Sequence, residues 1–215
     1  MPPVRTFRLL VVDPHPVVRE GLRHILAGAP DLHIGGETDT ALGAIQQNRQ
    51  KAWDIVVLEL SLPDRDGLEV LSQLRTEHPS LRVMIFTAQP EAQFAVRSVK
   101  SGAAGFLSKL ANPAQIVEAL RTVAEGRKYV SPEVAQALVA EISGEASEKP
   151  HEGLSNREFL TLRLLASGLS VSGVAEKLSL SVKTVSMYRA RLLAKMRMKN
   201  NAELTHYAIR HHLVD

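Results

Sequence analysis

The stretch IVVLELSLPDRDGLEV (residues 55–70) joins an apolar run to a turn and to the start of an amphipathic segment. Its first four residues are apolar without alternation, which is typical of a strand buried on both faces of a parallel sheet. The loop LPDRDG supplies the Pro, Asp and Gly residues that turns favour, and helical apolar spacing resumes after it. Glu59 ends the apolar run, where an acid is unusual, and it therefore marks this strand end as a candidate site.

The same strand-then-helix pattern recurs through residues 5–126. Segments with apolar residues at i, i+3 and i+4 separate the predicted strands, and this spacing indicates amphipathic helices. Consecutive parallel strands need crossover connections, so we predict a doubly wound, five-stranded parallel α/β sheet with helices on both faces. The predicted strands are FRLLVV (7–12), LHIGGE (32–37), DIVVLE (54–59), RVMIFT (82–87) and AGFLSK (104–109).

Four of these strands end on, or just before, a residue that can bind a ligand. Open α/β sheets bind ligands beyond the carboxyl ends of their strands, so these side chains are predicted to share one edge. They are Asp13, Glu59, Thr87 and Lys109.

The chain is predicted to contain two domains and a connecting segment. After Gly126, Ser131 and Pro132 have the positions of a helix cap and a first helical residue, and they predict a short helix. SGEASEKPHEG (143–153) has the small, charged and proline-containing composition of a flexible linker. We therefore predict a first domain over 5–126, a linker with a short helix over 127–153 and a second domain over 154–215.

The second domain has the pattern of four helices. Ser155 and Glu158 have capping-box spacing, Gly168 suits a helix C-terminus, and Ser181 caps a third helix, VKTVSMYRARLLAKM. The last helix is predicted in NAELTHYAIRHHLV, and the domain is therefore a compact, separate, all-α unit.

Positive charge is concentrated in this second domain. Residues 1–126 contain 13 Lys/Arg and 14 Asp/Glu, a net charge of −1, and residues 127–153 contain 3 and 5, a net charge of −2. Residues 154–215 contain 10 and 4, a net charge of +6. This asymmetry favours a polyanionic partner for the C-terminal part alone, although a solvated basic face without a partner fits the composition too.

Composition excludes several classes of function. The chain has no cysteine, so a disulfide framework, a thiolate metal site and a cysteine nucleophile are impossible. The apolar run near the N-terminus is too short to span a bilayer and follows two prolines. We expect a soluble, untargeted protein of the cytoplasm that has no membrane partner.

The third helix of the second domain has the features of a recognition helix. It follows a short helix and a tight turn, and it carries Lys183, Arg189, Arg191 and Lys195. Such a helix enters the DNA major groove with its N-terminal residues on base edges and its cations on phosphates.

Residues 154–215 resemble the LuxR-type helix-turn-helix of the NarL/FixJ family of response regulators. The matching pieces are LSNRE, ASGLS, VAEKL, SVKTV, the pair Lys195-Met196, and NAEL. The resemblance implies that 171–178 and 182–196 are the two helices of the motif. It also implies that the chain forms a homodimer through its last helix, AELTHYAIRHH. It implies base contacts from Ser186, Met187 and Ala190, and phosphate contacts from Lys183, Thr184, Arg189, Arg191 and Lys195.

Residues 5–126 similarly resemble a response-regulator receiver of the flavodoxin-like fold, through VVDPHPVVREGL, LPDRDG, Thr87 and GFLSK. In that family a strand-end aspartate accepts a phosphoryl group from a sensor histidine kinase, and two acids after the first strand hold Mg²⁺. The resemblance assigns phosphate contacts to Thr87 and Lys109 and the position of the switching aromatic to Phe106. Such phosphoryl transfer needs cations that neutralise charge in an in-line displacement.

Two positions depart from the receiver pattern. Glu59 stands where the phosphorylated aspartate belongs, and Pro14 stands where the second metal-binding acid belongs. Proline offers no side-chain oxygen to Mg²⁺, so Asp13 and Glu59 are the remaining acids and we expect weak Mg²⁺ binding at most, with no required cofactor. Glutamate is longer by one methylene, and a shift of about 1 Å can cost about a hundredfold in rate.

We therefore predict that Glu59 imitates a phosphorylated aspartate by reaching Lys109 and Thr87. The bland alternative is a buried acid paired with Lys109 that has no regulatory role. Two origins of Glu59 fit equally: a natural receiver that has dispensed with phosphorylation, and a deliberate replacement of aspartate.

The predicted function is transcription regulation by a receiver that controls dimerisation and DNA binding, without enzymatic activity. Double-stranded DNA half-sites, a second copy of the chain and a sensor histidine kinase are the expected partners. The alternatives are a phosphotransfer enzyme, which Pro14 and Glu59 disfavour, and a protein-interaction module that does not act on DNA.

Overall fold

The computed structural model describes residues 6–143, 149–178 and 180–214. The chain divides into two compact units, Met1–Ile142 and Ser143–Asp215, which are described separately. Residues 144–148 of the predicted linker, and the end positions 5 and 215 of the predicted domains, lie outside the described residues.

The first unit contains the predicted parallel sheet. All strand pairs are parallel, in the order β2-β1-β3-β4-β5, and the predicted fold class is confirmed. The strands are β1 Phe7–Val12, β2 Leu32–Thr38, β3 Ile55–Leu58, β4 Arg82–Thr87 and β5 Gly105–Ser108. The helices are α1 Pro16–Leu26, α2 Ala41–Gln50, α3 Gly67–Glu77, α4 Glu91–Lys100, α5 Pro113–Ala124 and α6 Pro132–Ile142.

Side chains from alternate strand positions pack into a core against α1 and α5. On this face Leu9, Val57 and Met84 are buried with Leu22 of α1 and Leu120 of α5. The strand residues between them, such as Leu10 and Val56, point to the other face of the sheet and are also fully buried. Burial on both faces explains why the strands are apolar throughout instead of alternating.

The segment predicted as the start of the linker packs onto the first unit. Tyr129 forms a parallel bridge with Gly105, and its carbonyl accepts a 2.9 Å hydrogen bond from the Phe106 N–H. The segment therefore covers the outer edge of β5. Val134 of α6 is buried as well, so residues 127–142 belong to this unit and not to a free connection.

In its described residues from 149 onward, the second unit contains the four predicted helices after a 3-10 turn at Pro150–Gly153. They are α7 Asn156–Ala166, α8 Val171–Lys177, α9 Val182–Met196 and α10 Asn201–Arg210. Ser155 and Glu158 form the predicted capping box at the start of α7. The core of this unit is built on Phe159, Leu162, Val185, Leu192 and Leu204.

None of the helices in the described part of the chain is long and apolar enough to cross a bilayer.

Candidate functional site and nucleic-acid interface

Strand pairing brings the two acids of the first unit together. Val12 is the register partner of Leu58, so Asp13 and Glu59 leave adjacent strands at the same level. The Glu59 N–H donates to the Val12 carbonyl at 2.9 Å and fixes the backbone there. Both acids are almost completely buried, with 2% and 3% of their surface exposed.

Both carboxylate oxygens of Glu59 have partners. Oε1 accepts a 2.5 Å hydrogen bond from Oγ1 of Thr87 and a 2.8 Å hydrogen bond from the Ser61 N–H. Oε2 lies 2.6 Å from Nζ of Lys109. The Glu59 carboxylate thus contacts the hydroxyl and the ammonium that the receiver resemblance assigns to phosphate.

Lys109 connects the two acids. Its Nζ is also 2.5 Å from Oδ2 of Asp13, while Oδ1 of Asp13 accepts from the backbone N–H of His15 at 2.9 Å. The Lys109 side chain is 13% exposed and the two carboxylates are each 3% exposed. A single ammonium therefore neutralises part of the charge of two buried carboxylates, in a setting that water screens poorly.

Hydrogen bonds extend this cluster into the loops after β3 and β4. The Gln89 N–H donates to Oγ1 of Thr87 at 3.2 Å, and Nε2 of Gln89 donates to Oγ of Ser61 at 2.8 Å. Together with the contacts of Glu59, these bonds close a ring that ties the two loops to one carboxylate. Phe106, at the predicted switch position, is 2% exposed and is the register partner of Ile85.

The oxygen donors at this edge do not fit a Mg²⁺ site. Mg²⁺ requires several oxygen ligands in octahedral geometry, but Asp13 and Glu59 already share Lys109, and Pro14 has no side-chain oxygen. The loop acids are engaged elsewhere, because Asp64 accepts from two backbone N–H groups of α2 and Asp66 caps α3. Among the described residues, no group of three or more His, Asp or Glu side chains is arranged to hold a metal ion.

The second unit presents α9 as its candidate nucleic-acid interface. Ser181 caps the helix by accepting from the Thr184 N–H at 3.0 Å, and the two hydroxyls are 2.7 Å apart. Val185, Leu192 and Met196 face the core. The exposed positions outside this buried face include most of the residues that the resemblance assigns to DNA, namely Lys183, Ser186, Met187, Ala190, Arg191 and Lys195.

Two of the predicted phosphate-contact residues have partners within the unit. Nζ of Lys195 lies 2.7 Å from Oε2 of Glu158, and Nε of Arg189 donates to Oδ1 of Asn201 at 2.7 Å. Lys195 and Arg189 therefore join α9 to α7 and to α10. Glu158 and Asn201 were missed as partners of this helix, and capping-box spacing was the only sequence signal at Glu158.

Replacement of Lys195 by methionine should lower the stability of this unit by about 1 kcal/mol at neutral pH, because Lys195 is 47% exposed and water screens the pair. Burial raises the pKa of Glu158, but Lys195 and Ser155 outweigh it and hold that pKa below its ordinary value. Such a carboxyl adds stability above its unfolded pKa, and that stability disappears as the pH falls through the folded pKa.

The difference between wild type and the Lys195→Met variant should consequently shrink as the pH falls below about 4.3, the ordinary pKa of glutamate. Hydrogen exchange of α7 and α9 peptides in the full chain measures it, with the exposed Lys199→Met variant as the control. A stability difference that stays constant down to acid pH would show that the pair with Lys195 does not lower the pKa of Glu158.

A parallel sheet with an acid, a threonine and a lysine at its carboxyl edge, followed by a basic helix-turn-helix unit, defines a two-component response regulator. Comparisons with protein families agree with this class. Residues 9–121 match the response regulator receiver domain, and residues 152–208 match the bacterial regulatory proteins of the luxR family. The chain belongs to the NarL/FixJ family of response regulators and is a DNA-binding transcription regulator of the two-component type.

Several relatives are similar over almost the whole chain. The response regulator UvrY of Escherichia coli K12 is 34% identical over 206 residues, which cover 95% of this chain and 94% of UvrY. The response regulator GacA of Pseudomonas protegens is 35% identical over 208 residues, which cover 97% of this chain and 98% of GacA.

Solved structures share the fold. RcsB of Salmonella enterica serovar Typhimurium, bound to promoter rprA in the presence of phosphomimetic BeF3−, is 24% identical, with a TM-score of 0.68 over 94% of this chain and 98% of RcsB. A LuxR-family response regulator from Aurantimonas sp. SI85-9A1 is 34% identical, with a TM-score of 0.59 over 64% of this chain and 99% of that chain.

Proposed function

We propose that this response regulator binds double-stranded DNA half-sites as a homodimer and that Glu59, instead of a phosphoryl group, holds its receiver in the DNA-binding arrangement. The observation that carries the proposal is the contact of one carboxylate with both Thr87 and Lys109, at 2.5 Å and 2.6 Å. A phosphoryl group on a shorter aspartate would offer oxygens to the same hydroxyl and ammonium. The glutamate carboxylate does so with one additional methylene.

The same contacts argue against Glu59 as a phosphoryl acceptor. A nucleophilic carboxylate needs an oxygen directed at the incoming phosphorus, whereas both oxygens of Glu59 are engaged and buried. We infer that the chain has no phosphotransfer activity, even when a sensor histidine kinase, the partner that the family implies, is present. We further propose that it acts in the cytoplasm, where its DNA lies.

Mg²⁺ is expected to leave the stability of the wild-type receiver unchanged, because the Lys109 ammonium already pairs with the carboxylates of both Asp13 and Glu59. The Pro14→Asp plus Glu59→Asp variant restores both acids of the receiver pattern and should bind Mg²⁺. At a Mg²⁺ concentration ten times the dissociation constant, its free energy of unfolding should rise by about 1.4 kcal/mol. Thermal unfolding can be followed by the fluorescence of Trp53, the single tryptophan, which lies in the receiver. A similar rise in the wild type would contradict the proposal that no metal is needed.

Helix α9 is suited to a duplex by its charge and by its exposure. Lys183, in the first turn, and Arg191, two turns further along, are both exposed on the side of α9 that faces away from the core, from which they can reach phosphates that border the major groove. For dimerisation we propose the side of α10 that carries His206, Ile209 and Arg210. Ile209 is 52% exposed there, and a groove of about 590 Å³ runs along the same helix.

The Lys183→Ala plus Arg191→Ala variant should bind duplex DNA about 100-fold more weakly at roughly 0.15 M salt, since each lost charge-assisted contact is worth about 1.5 kcal/mol. The slope of log affinity against log salt should fall by about 2, one for each phosphate contact. Fluorescence anisotropy with labelled duplexes over a salt series measures both quantities.

A Lys51→Ala plus Arg65→Ala variant is the matched control, because it removes the same charge from exposed positions of the other unit. It should keep the wild-type affinity to within about threefold, as expected of charges outside the contact. Equal losses in the two variants would show that net charge, and not α9, determines binding.

A further inference from the structure

The outward face of α9 is apolar where a recognition helix meets the bases. At 100° per residue, Val185, Leu192 and Met196 define the direction of the core, and the side chains farthest from them are Lys183, Met187, Ala190 and Ala194. After the first turn, the three residues that point most directly away from the core are thus a methionine and two alanines. Met187 is 43% exposed, unusually so for a large apolar side chain.

These side chains cannot read bases by hydrogen bonds. Neither methionine nor alanine has a donor, so neither can form the bidentate pairs that arginine makes with guanine or asparagine with adenine. Ser186, on the flank of the same face, adds a single hydroxyl. The apolar group that the major groove offers at its surface is the C5-methyl of thymine.

We infer that α9 selects its half-site chiefly through the thymine methyl group, with Met187 packed on it and Ala190 allowing the close approach. This inference rests on the proposed DNA binding and deepens it, because it names the base feature that is read. The exposed cations Lys183 and Arg191 on the same side of α9 make a duplex, and not an apolar protein surface, the occupant that complements this face.

The test uses the full chain and duplexes in which single thymines are replaced by uracil. Uracil has the hydrogen-bonding edge of thymine but lacks the methyl group, so it isolates the proposed contact. A preferred site is first obtained by selection from a pool of random duplexes. At one or two positions in each half-site, the replacement should then weaken binding about fourfold, the value of one buried methyl group.

The Met187→Ala variant should bind the thymine and uracil duplexes about equally, because the coupled partner is gone. Ser186→Ala, which alters the neighbouring exposed position, should keep the fourfold ratio. Replacing the same thymine by cytosine should weaken binding, because cytosine lacks the methyl group. Methylation of that cytosine to 5-methylcytosine should then recover part of the lost affinity for the wild type and none for the Met187→Ala variant.

Two results would overturn the inference while DNA binding stands: uracil replacements that are neutral at every position, or a thymine-to-uracil ratio that the Met187→Ala variant leaves unchanged. Failure of the wild-type chain to bind any duplex in the pool at low salt would instead refute the proposed function, and the inference with it. Ser186 and Met187 are both exposed, so the thermal unfolding of the Ser186→Ala and Met187→Ala variants should match that of the wild type.

Discussion

Replacement of Lys109 by methionine is expected to lower the free energy of unfolding of the receiver by about 3–5 kcal/mol, the cost of leaving a buried charge without its partner. Lys109 contacts both Asp13 and Glu59, which are each only 3% exposed. Methionine keeps most of the apolar stem and removes the charge, so lost packing contributes little. Urea unfolding monitored by Trp53 fluorescence measures the effect in the full chain.

Two further variants separate charge from packing. Lys51→Met alters an exposed lysine of the same unit and should change stability by less than about 0.5 kcal/mol. Addition of Glu59→Gln to Lys109→Met removes one of the stranded charges and should recover a substantial part of the loss. A Lys109→Met variant as stable as the wild type would mean that the two carboxylates are not held by this cation.

The sheet and the gathering of its edge residues could be predicted because both follow from short-range patterns. Apolar runs set the strands, helical spacing sets the crossovers, and parallel strands place their carboxyl ends at one edge. The proximity of Glu59 to Thr87 and Lys109 follows from that topology. The sharing of Lys109 with Asp13 does not, because it depends on the side-chain conformation that the ammonium adopts between two acids.

Contacts between helices could not be read in the same way. Lys195 and Glu158 are 37 residues apart, and Arg189 and Asn201 are 12 apart on different helices. Apolar periodicity predicts which face of a helix is buried but not the angle at which two helices cross. A cation on an exposed helix face therefore resembles a phosphate contact in the sequence, whether it binds DNA or holds a neighbouring helix.

Local composition also concealed the role of residues 127–142. Ser131 and Pro132 predicted a short helix within the linker, whereas Tyr129 pairs with the edge of β5. An unpaired strand edge attracts backbone from any segment that can reach it, and composition does not report which segment does so.

The proposed DNA-binding arrangement of the receiver depends on the negative charge of Glu59. Glu59→Gln keeps the size of the side chain and an oxygen for Thr87 but removes the attraction for Lys109, which then pairs with Asp13 alone. A two-state receiver should respond by populating its other arrangement, and couplings of this kind are worth about 1–3 kcal/mol. We therefore expect Glu59→Gln to weaken DNA binding about tenfold. Asp39→Asn, at an exposed position beside the same edge, is the matched control and should bind as the wild type does.

The measurement that decides the matter is the affinity of the full chain for its selected duplex, with and without acetyl phosphate and Mg²⁺, for wild type and Glu59→Gln. We expect tight binding by the wild type without the phosphodonor, no change and no added phosphoryl mass with it, and weaker binding by Glu59→Gln in both conditions. Equal affinity of the two proteins, or tighter binding by a wild type that has gained a phosphoryl group, would contradict the proposal that Glu59 replaces phosphorylation.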